Sequence, residues 1–295
     1  MTEQEQFGPS PKKGRGMAKA SLDLIDAMHE IAEACQPITG RGVGYKLFAR
    51  GLIPSMETKS MKVVYRLLKI ARENGSIPWD WIVDENRTLE VVSTWDNPEQ
   101  LIRAARNSYR RDFWKDQPVR VEVWSEKGTV RGVLAPVLDD FGVGFRVLHG
   151  FSSATTIYDV AQGDGGDELI VLYVGDYDPS GLYMSEHDLP DRLAKYGGDH
   201  VVLARIALTP DQLDGLSSFP ASDKVKDTRY DWFVSNFGHQ CWELDALDPN
   251  DLRATVQAAI ENEIEPKAWR RCETVQKAEQ ESLRHFFDKW FEARR

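Results

Sequence analysis

The chain has 295 residues, 41% hydrophobic and 28% charged, which is long enough for two domains with well-formed cores. No apolar run is long enough to span a membrane and the first residues lack the apolar core of a signal peptide, so a cytoplasmic protein is expected. The net charge of -10 argues against general affinity for nucleic acid, but residues 1–117 hold 18 Lys/Arg against 16 Asp/Glu and the remainder 19 against 31. An acidic second half can still meet a polyanion through a basic neighbour. Cys35, Cys241 and Cys272 show no Cys-x-x-Cys spacing, which suits free thiols and argues against a structural zinc.

Residues 1–18 are rich in Gly, Pro, Lys and Gln and read as a disordered tail. Leu22, Leu24, Ile25, Met28, Ile31 and Ala32 recur at helical spacing, with Ser21 as N-cap and Pro37 as the stop. A second helix is expected from Ile38 to a glycine stop at Gly51, and a third from Ser60 to Asn74 before Gly75. Ile77 to Asp84 then looks extended. Three short helices followed by an extended piece, over residues 19–95, is the order of a winged helix-turn-helix. Between Arg41 and Arg72, the basic residues Arg41, Lys46, Arg50, Lys59, Lys62, Arg66, Lys69 and Arg72 stand against one acid, Glu57. Such a run is either a solvated helix face or a phosphate-binding surface, and the helix-turn-helix order favours the second. It would grip the DNA backbone without reading bases.

Residues 96–117 read as a linker with one helix from Asn97 to Trp114. Strands at 119–124, 144–149, 168–175 and 200–207 then alternate with helices at 129–141, 153–161 and 181–196, which implies a parallel sheet with crossover helices. Leu169 to Val174 is continuously apolar, as in a strand buried on both faces, and it ends in Gly175-Asp176-Tyr177-Asp178-Pro179-Ser180-Gly181. Val119 to Trp124 ends in Ser125-Glu126-Lys127. If the two strands are neighbours, Glu126, Asp176 and Asp178 converge at one carboxyl edge, where α/β sheets carry function. Three acids so placed repel one another unless a cation lies between them, which suits a hard divalent metal and phosphoryl-transfer chemistry. His149 follows the second strand at the same edge, in a structural or phosphate-contact role, and Ser152 or Ser153 suits a helix cap. Residues 211–295 read as a mainly helical extension whose Phe286, Phe287, Trp290 and Phe291 suit packing or a dimer contact.

The ordered Glu126 and Asp176-Tyr177-Asp178 resemble the Toprim domain, over roughly residues 118–210. Ser-Glu-Lys followed by Gly-Asp-Tyr-Asp-Pro-Ser-Gly is most similar to the A subunit of type IIB topoisomerases and its meiotic relative that makes double-strand breaks. In that family an arginine precedes the attacking tyrosine by four residues, which Arg41 and Tyr45 match. Leu47-Phe48-Ala49-Arg50-Gly51-Leu52-Ile53 and Ile77-Pro78-Trp79 also resemble segments of compact bacterial and phage relatives. The resemblance implies an α/β chain, with a winged helix-turn-helix followed by a Rossmann-like Toprim sheet and a helical extension. It implies Mg²⁺ or Mn²⁺ on Glu126, Asp176 and Asp178, with Tyr45 attacking the phosphate of double-stranded DNA in a nucleoid-associated protein. It further implies a homodimer, in which one protomer's tyrosine serves the other's metal site, and a separate ATPase subunit. Glu243 or Asp245, in a family-like Glu-Leu-x-Ala-Leu segment, would join the site. The chain departs from the family at Gly40, Gly42 and Gly44, where bulkier residues or a second aromatic are usual, and each glycine weakens a helix by about 1 kcal/mol. A hydrolytic Toprim nuclease, a dehalogenase-type phosphatase and a non-enzymatic DNA-binding component of a larger complex are the competing readings. The phosphatase lacks its usual Gly-Thr after the acid pair, where Pro179-Ser180 stands.

Overall fold

The structure, a computed structural model, describes residues 19–83, 92–148, 154–163 and 168–292. Three helices open it: α1 (Lys19–Cys35), α2 (Gly40–Ala49) and α3 (Thr58–Glu73). The apolar positions of α1 bury Ile25, Met28, Ile31 and Ala32, and those of α3 bury Met61, Val64, Leu67, Leu68 and Ala71. Both sets follow the helical period, and together with Ile38, Val43 and Leu47 they form one cluster. Ser21 lies inside α1 rather than capping it.

The second helix begins two residues later than its sequence suggests. Ile38–Thr39 forms a short strand, β1, paired in parallel with β2 (Ile82–Val83), and the Thr39 hydroxyl accepts from the Gly42 amide at 2.8 Å to cap α2. Helix α2 forms despite its three glycines because tertiary contacts hold it. A Cβ on Gly44 would lie 2.5 Å from the Met61 sulfur, so the Met61 side chain from α3 occupies the space that the glycine leaves open.

Helix α4 (Pro98–Ser108) starts under an Asn97 cap, its side chain accepting from the Gln100 amide at 2.9 Å. It stops at Ser108, well short of the expected Trp114. From there Tyr109 donates to Glu279 at 2.5 Å, Arg111 pairs with Glu279 at 2.8 Å, and Trp114 is buried. Contacts to the C-terminal helix therefore outweigh continued helical propensity.

The second half is built on four parallel strands, β3 (Val119–Ser125), β4 (Gly144–Val147), β5 (Glu168–Val174) and β6 (Val201–Ala207), in the order β4-β3-β5-β6. Helices α5 (Thr129–Phe141) and α6 (Ala154–Ala161) link the first three strands. Helix α7 (Pro179–Tyr183), a π-helical turn (Met184–Asp188) and α8 (Leu189–Lys195) link β5 to β6. Alternate residues of β3 and β5 enter two separate cores. Val121, Val123, Leu172 and Val174 meet α5 and the C-terminal elements, while Trp124, Val171 and Tyr173 meet Ile157, Met184 and Leu189. Burial on both faces explains the unbroken apolar run, each such side chain contributing about 1.5–3 kcal/mol.

The extension packs against the sheet. After a hairpin of β7 (Phe219–Pro220) and β8 (Gln240–Cys241) around α9 (Tyr230–Phe237) come α10 (Pro249–Asn262) and α11 (Pro266–Glu292). Phe233, Cys241, Leu244 and Val256 share the core of β3 and β5. Phe287 is buried and Phe286 is 60% exposed, so the aromatic tail is split between packing and surface. No helix among the described residues is long and apolar enough to cross a membrane.

Candidate metal centre and cleft

The chain leaves β3 for β4 on one side, and β5 lies on the other. This reversal opens a crevice between the carboxyl ends of β3 and β5, the place where open α/β sheets bind ligands. Glu126 and Lys127 leave β3 into that crevice, and Gly175 to Asp178 leave β5 beside them. The extended backbone then sends Asp176 and Asp178 one way and Tyr177, 5% exposed, into the opposite core. The three acids that the sequence singles out are therefore brought to one edge.

Each aspartate is held in place. Asp178 caps α7, accepting from the Gly181 amide at 2.8 Å, and its other oxygen takes the Lys224 ammonium at 3.0 Å. Asp176 Oδ1 accepts from Lys127 Nζ at 2.9 Å and from the Leu244 amide at 2.8 Å. Tyr177 and Trp242 exchange two backbone bonds of 2.9 Å, which clamps residues 242–245 over the acids. Lys127 therefore also reaches Asp245 Oδ2 at 3.2 Å, and Asp245 Oδ1 accepts from Thr39 Oγ1 at 2.5 Å. Glu243 receives a two-pronged pair from Arg41, one prong being Nη2 to Oε1 at 2.5 Å.

Glu126 forms no salt bridge among the described residues. Burial first, and then the charges of Asp176 and Asp178, push its carboxyl up to about 7. Burial works against the Lys127 ammonium, but Asp176, Asp245 and Glu243 more than offset it and raise its pKa.

Arg205, which the sequence reading passed over, organises the loop from inside β6. Its guanidinium donates to the carbonyls of Gly175 (3.1 Å), Asp176 (3.2 Å), Gly181 (2.7 Å) and Leu208 (3.1 Å), and its Nε to Ser185 Oγ (2.9 Å). The available signal was a single arginine in the otherwise apolar stretch Val201–Ala207. Lys224 carried no signal, since it reaches Asp178 only through the fold of the β7–β8 region.

Gly181 admits no side chain. An added Cβ would lie 2.4 Å from the Asp176 carbonyl oxygen, which is backbone and has no rotamer to change. Gly181→Ala is expected to cost about 1–3 kcal/mol, measurable as a lowered urea midpoint, and to displace Asp176 from Lys127. An unchanged midpoint would show that the loop relaxes freely.

The basic residues of the N-terminal half do not form one face. Arg41 and Lys46 turn inward, to Glu243 and Asp248, because α2 lies against the 243–248 segment. Arg50 lies 3.3 Å from Glu30, and Lys69 lies 3.6 Å from Glu73. Lys59, Lys62 and Arg66 are exposed on α3. The single phosphate-binding surface expected from the sequence is therefore divided between an inner pair and an outer set.

Tyr45 is 6% exposed, and its ring centroid lies 5.8 Å from the Arg41 guanidinium carbon. Burial and Glu243 push its hydroxyl up to about 12, against the opposing effect of Arg41. A cleft of about 640 Å³ opens between α3 and the acidic edge, lined among others by Arg41, Tyr65, Trp79, Lys127, Asp176 and Glu243. His149, Ser152, Ser153 and Asp84 lie outside the described residues.

Two observations bear on a metal ion at this edge. The donors are all carboxylate oxygens, the set that magnesium and manganese take. The Tyr173 hydroxyl, buried where the charges of Glu126, Asp176 and Asp178 act on it, has no hydrogen-bond partner among the described residues. Donor type and charge thus fit a hard cation. In the present side-chain arrangement no three acids among the described residues converge closely enough to grip one together, because Lys127 and Lys224 hold the aspartates.

No family model matches this chain, no characterised protein matches it, and no solved structure matches it.

Proposed function

We propose that the chain is a metal-dependent enzyme that cleaves the phosphodiester backbone of DNA, with Glu126, Asp176 and Asp178 as its Toprim-type centre. The observation that carries this reading is the placement of those three acids at the β3/β5 switch point, with Glu126 in no salt bridge among the described residues and pushed up to about 7. Mg²⁺ or Mn²⁺, held there by Asp176 and Asp178, would supply charge neutralisation for the phosphate and the leaving oxygen. Asp176 and Asp178 would hold the cation in place of the ammonium groups of Lys127 and Lys224, and Lys127, which lines the cleft, would then be available to the phosphate. Glu126, in no salt bridge among the described residues, is suited to take the proton of the attacking hydroxyl near neutral pH. Lys59, Lys62 and Arg66 on α3 give the N-terminal unit, read as a winged helix, an outer contact to the DNA backbone.

In this conformation water suits the role of nucleophile better than Tyr45, since burial keeps the phenol protonated far above neutral pH. A second reading keeps Tyr45 as the nucleophile, and it is favoured by the Arg41 guanidinium beside its ring. It requires α2 to withdraw from the Glu243–Asp248 segment, as would happen if the tyrosine served the metal site of a second protomer. In a nucleoid-associated cytoplasmic setting, that dimer would need a separate ATPase subunit for strand passage.

Supercoiled plasmid with Mg²⁺ or Mn²⁺, quenched with detergent and split with and without protease, separates the readings. Free-ended breaks that survive Tyr45→Phe and vanish in Asp176→Ala are the expected result. Breaks linked to protein and lost in both variants would establish the tyrosine. No breaks with either metal would overturn DNA cleavage by this chain alone.

A further inference from the structure

The cleft has a second wall that the acids do not explain. Trp79, on the short 3₁₀ turn before β2, is 58% exposed, unusual for the largest apolar side chain. It is nevertheless held firmly. The Arg72 guanidinium carbon lies 4.3 Å from the Trp79 ring, and Arg72 Nη2 donates to the Trp79 carbonyl at 3.3 Å. One aromatic face is thus braced by a cation. Exposed Tyr65 (46%) and Lys69 line the same cleft from α3, and Asp176 and Lys127 line its floor. An exposed indole, a phenol and cations around a groove are the elements of single-stranded nucleic-acid sites, where bases stack on aromatic faces and lysine or arginine tracks the phosphates. A paired base offers only its edges within the duplex, so it cannot lie flat on Trp79.

We propose that this cleft takes an unpaired base beside the phosphate presented to the acidic edge, with Trp79 as the stacking platform and Tyr65 and Lys69 beside it. The preferred substrate class is accordingly DNA with an unpaired stretch, such as a tailed or gapped end, and not continuous duplex. This rests on the DNA-cleavage reading above and narrows its substrate. The volume of about 640 Å³ falls within the range of clefts that enclose a ligand of nucleotide size.

The test is the affinity of the full chain, in EDTA so that no cleavage occurs, for labelled blunt duplex and for the same duplex with a single-stranded tail containing 2-aminopurine. Wild type is expected to bind the tailed DNA at least about 10-fold tighter and to quench the 2-aminopurine emission, as stacking does. Trp79→Ala is expected to lose about 5- to 100-fold on the tailed DNA and little on the blunt duplex. Trp79→Phe is expected to retain most of the preference. The indole is exposed, so thermal melts of both variants should match wild type, and a matched melt separates lost stacking from lost folding. Equal affinity for the two DNAs, unchanged by Trp79→Ala, would overturn the stacking site while leaving DNA cleavage standing. Failure of wild type to bind either DNA would likewise overturn the stacking site, while the plasmid assay with metal decides cleavage separately.

Discussion

Glu126→Gln is expected to make the metal-free protein more stable at pH 8 while abolishing metal-dependent cleavage. The folded carboxyl sits at about 7 because it is buried beside Asp176 and Asp178, whereas an unfolded glutamate titrates near 4.3. A raised acid favours the folded state while protonated. Its contribution is therefore complete below about pH 4 and is lost as pH rises through about 7. At pH 8 the ionised Glu126 costs on the order of 2–3 kcal/mol, which the neutral amide of the same shape avoids. Thermal melts in EDTA should show the variant several degrees above wild type at pH 8 and level with it at pH 4. Added Mg²⁺ should narrow the gap at pH 8, because it stabilises wild type by binding the folded state. Cleavage should fall at least ~10²-fold, the loss expected when a proton acceptor or ligand is removed. A variant less stable than wild type at pH 8 without metal would mean that Glu126 is satisfied in the fold and not held under repulsion.

Arg205→Met is expected to be the most damaging substitution outside the acids themselves. The guanidinium holds the carbonyls of Gly175, Asp176, Gly181 and Leu208 together with the Ser185 hydroxyl. Methionine fills similar volume and removes the cost of burying a charge, but it leaves those acceptors without their donor. At ~1–3 kcal/mol for each buried carbonyl left unpaired, the loss outweighs the desolvation recovered, and a net cost of about 3 kcal/mol is expected. The melting temperature should drop by roughly 6–12 °C. Arg205→Lys should recover only part of it, since a single ammonium cannot span a fork of five donors. Because the same carbonyls fix the loop carrying Asp176 and Asp178, plasmid cleavage should fall in both variants at temperatures where they remain folded. A melt unchanged from wild type in Arg205→Met would show that the loop is held by Asp178 and Gly181 without it.

Much of this architecture was legible in the residues. The period-two and unbroken apolar stretches of β3 and β5 placed a buried parallel sheet, because only burial on both faces tolerates a run such as Leu169–Val174. The acids at the ends of two such strands marked the edge, because strands in a parallel sheet all deliver their carboxyl ends to one side. Helix ends were less legible. Ile38–Thr39 became a strand because Ile82–Val83 was available to pair with it, and α4 ended early because α11 offered Tyr109 and Arg111 a carboxylate.

The sequence by itself determined the alternation of strands and helices, the two cores of the sheet and the three acids at its edge, since each is set by local period or strand polarity. Only the tertiary structure decided which cations face which acids. Lys127 bridges Asp176 and Asp245, Lys224 meets Asp178, Arg41 turns to Glu243, and Arg205 gathers the loop. The physical reason is range: hydrophobic period acts between residues a few positions apart, whereas the pairs between these cations and acids join groups as many as 202 positions apart that meet only when the sheet has closed.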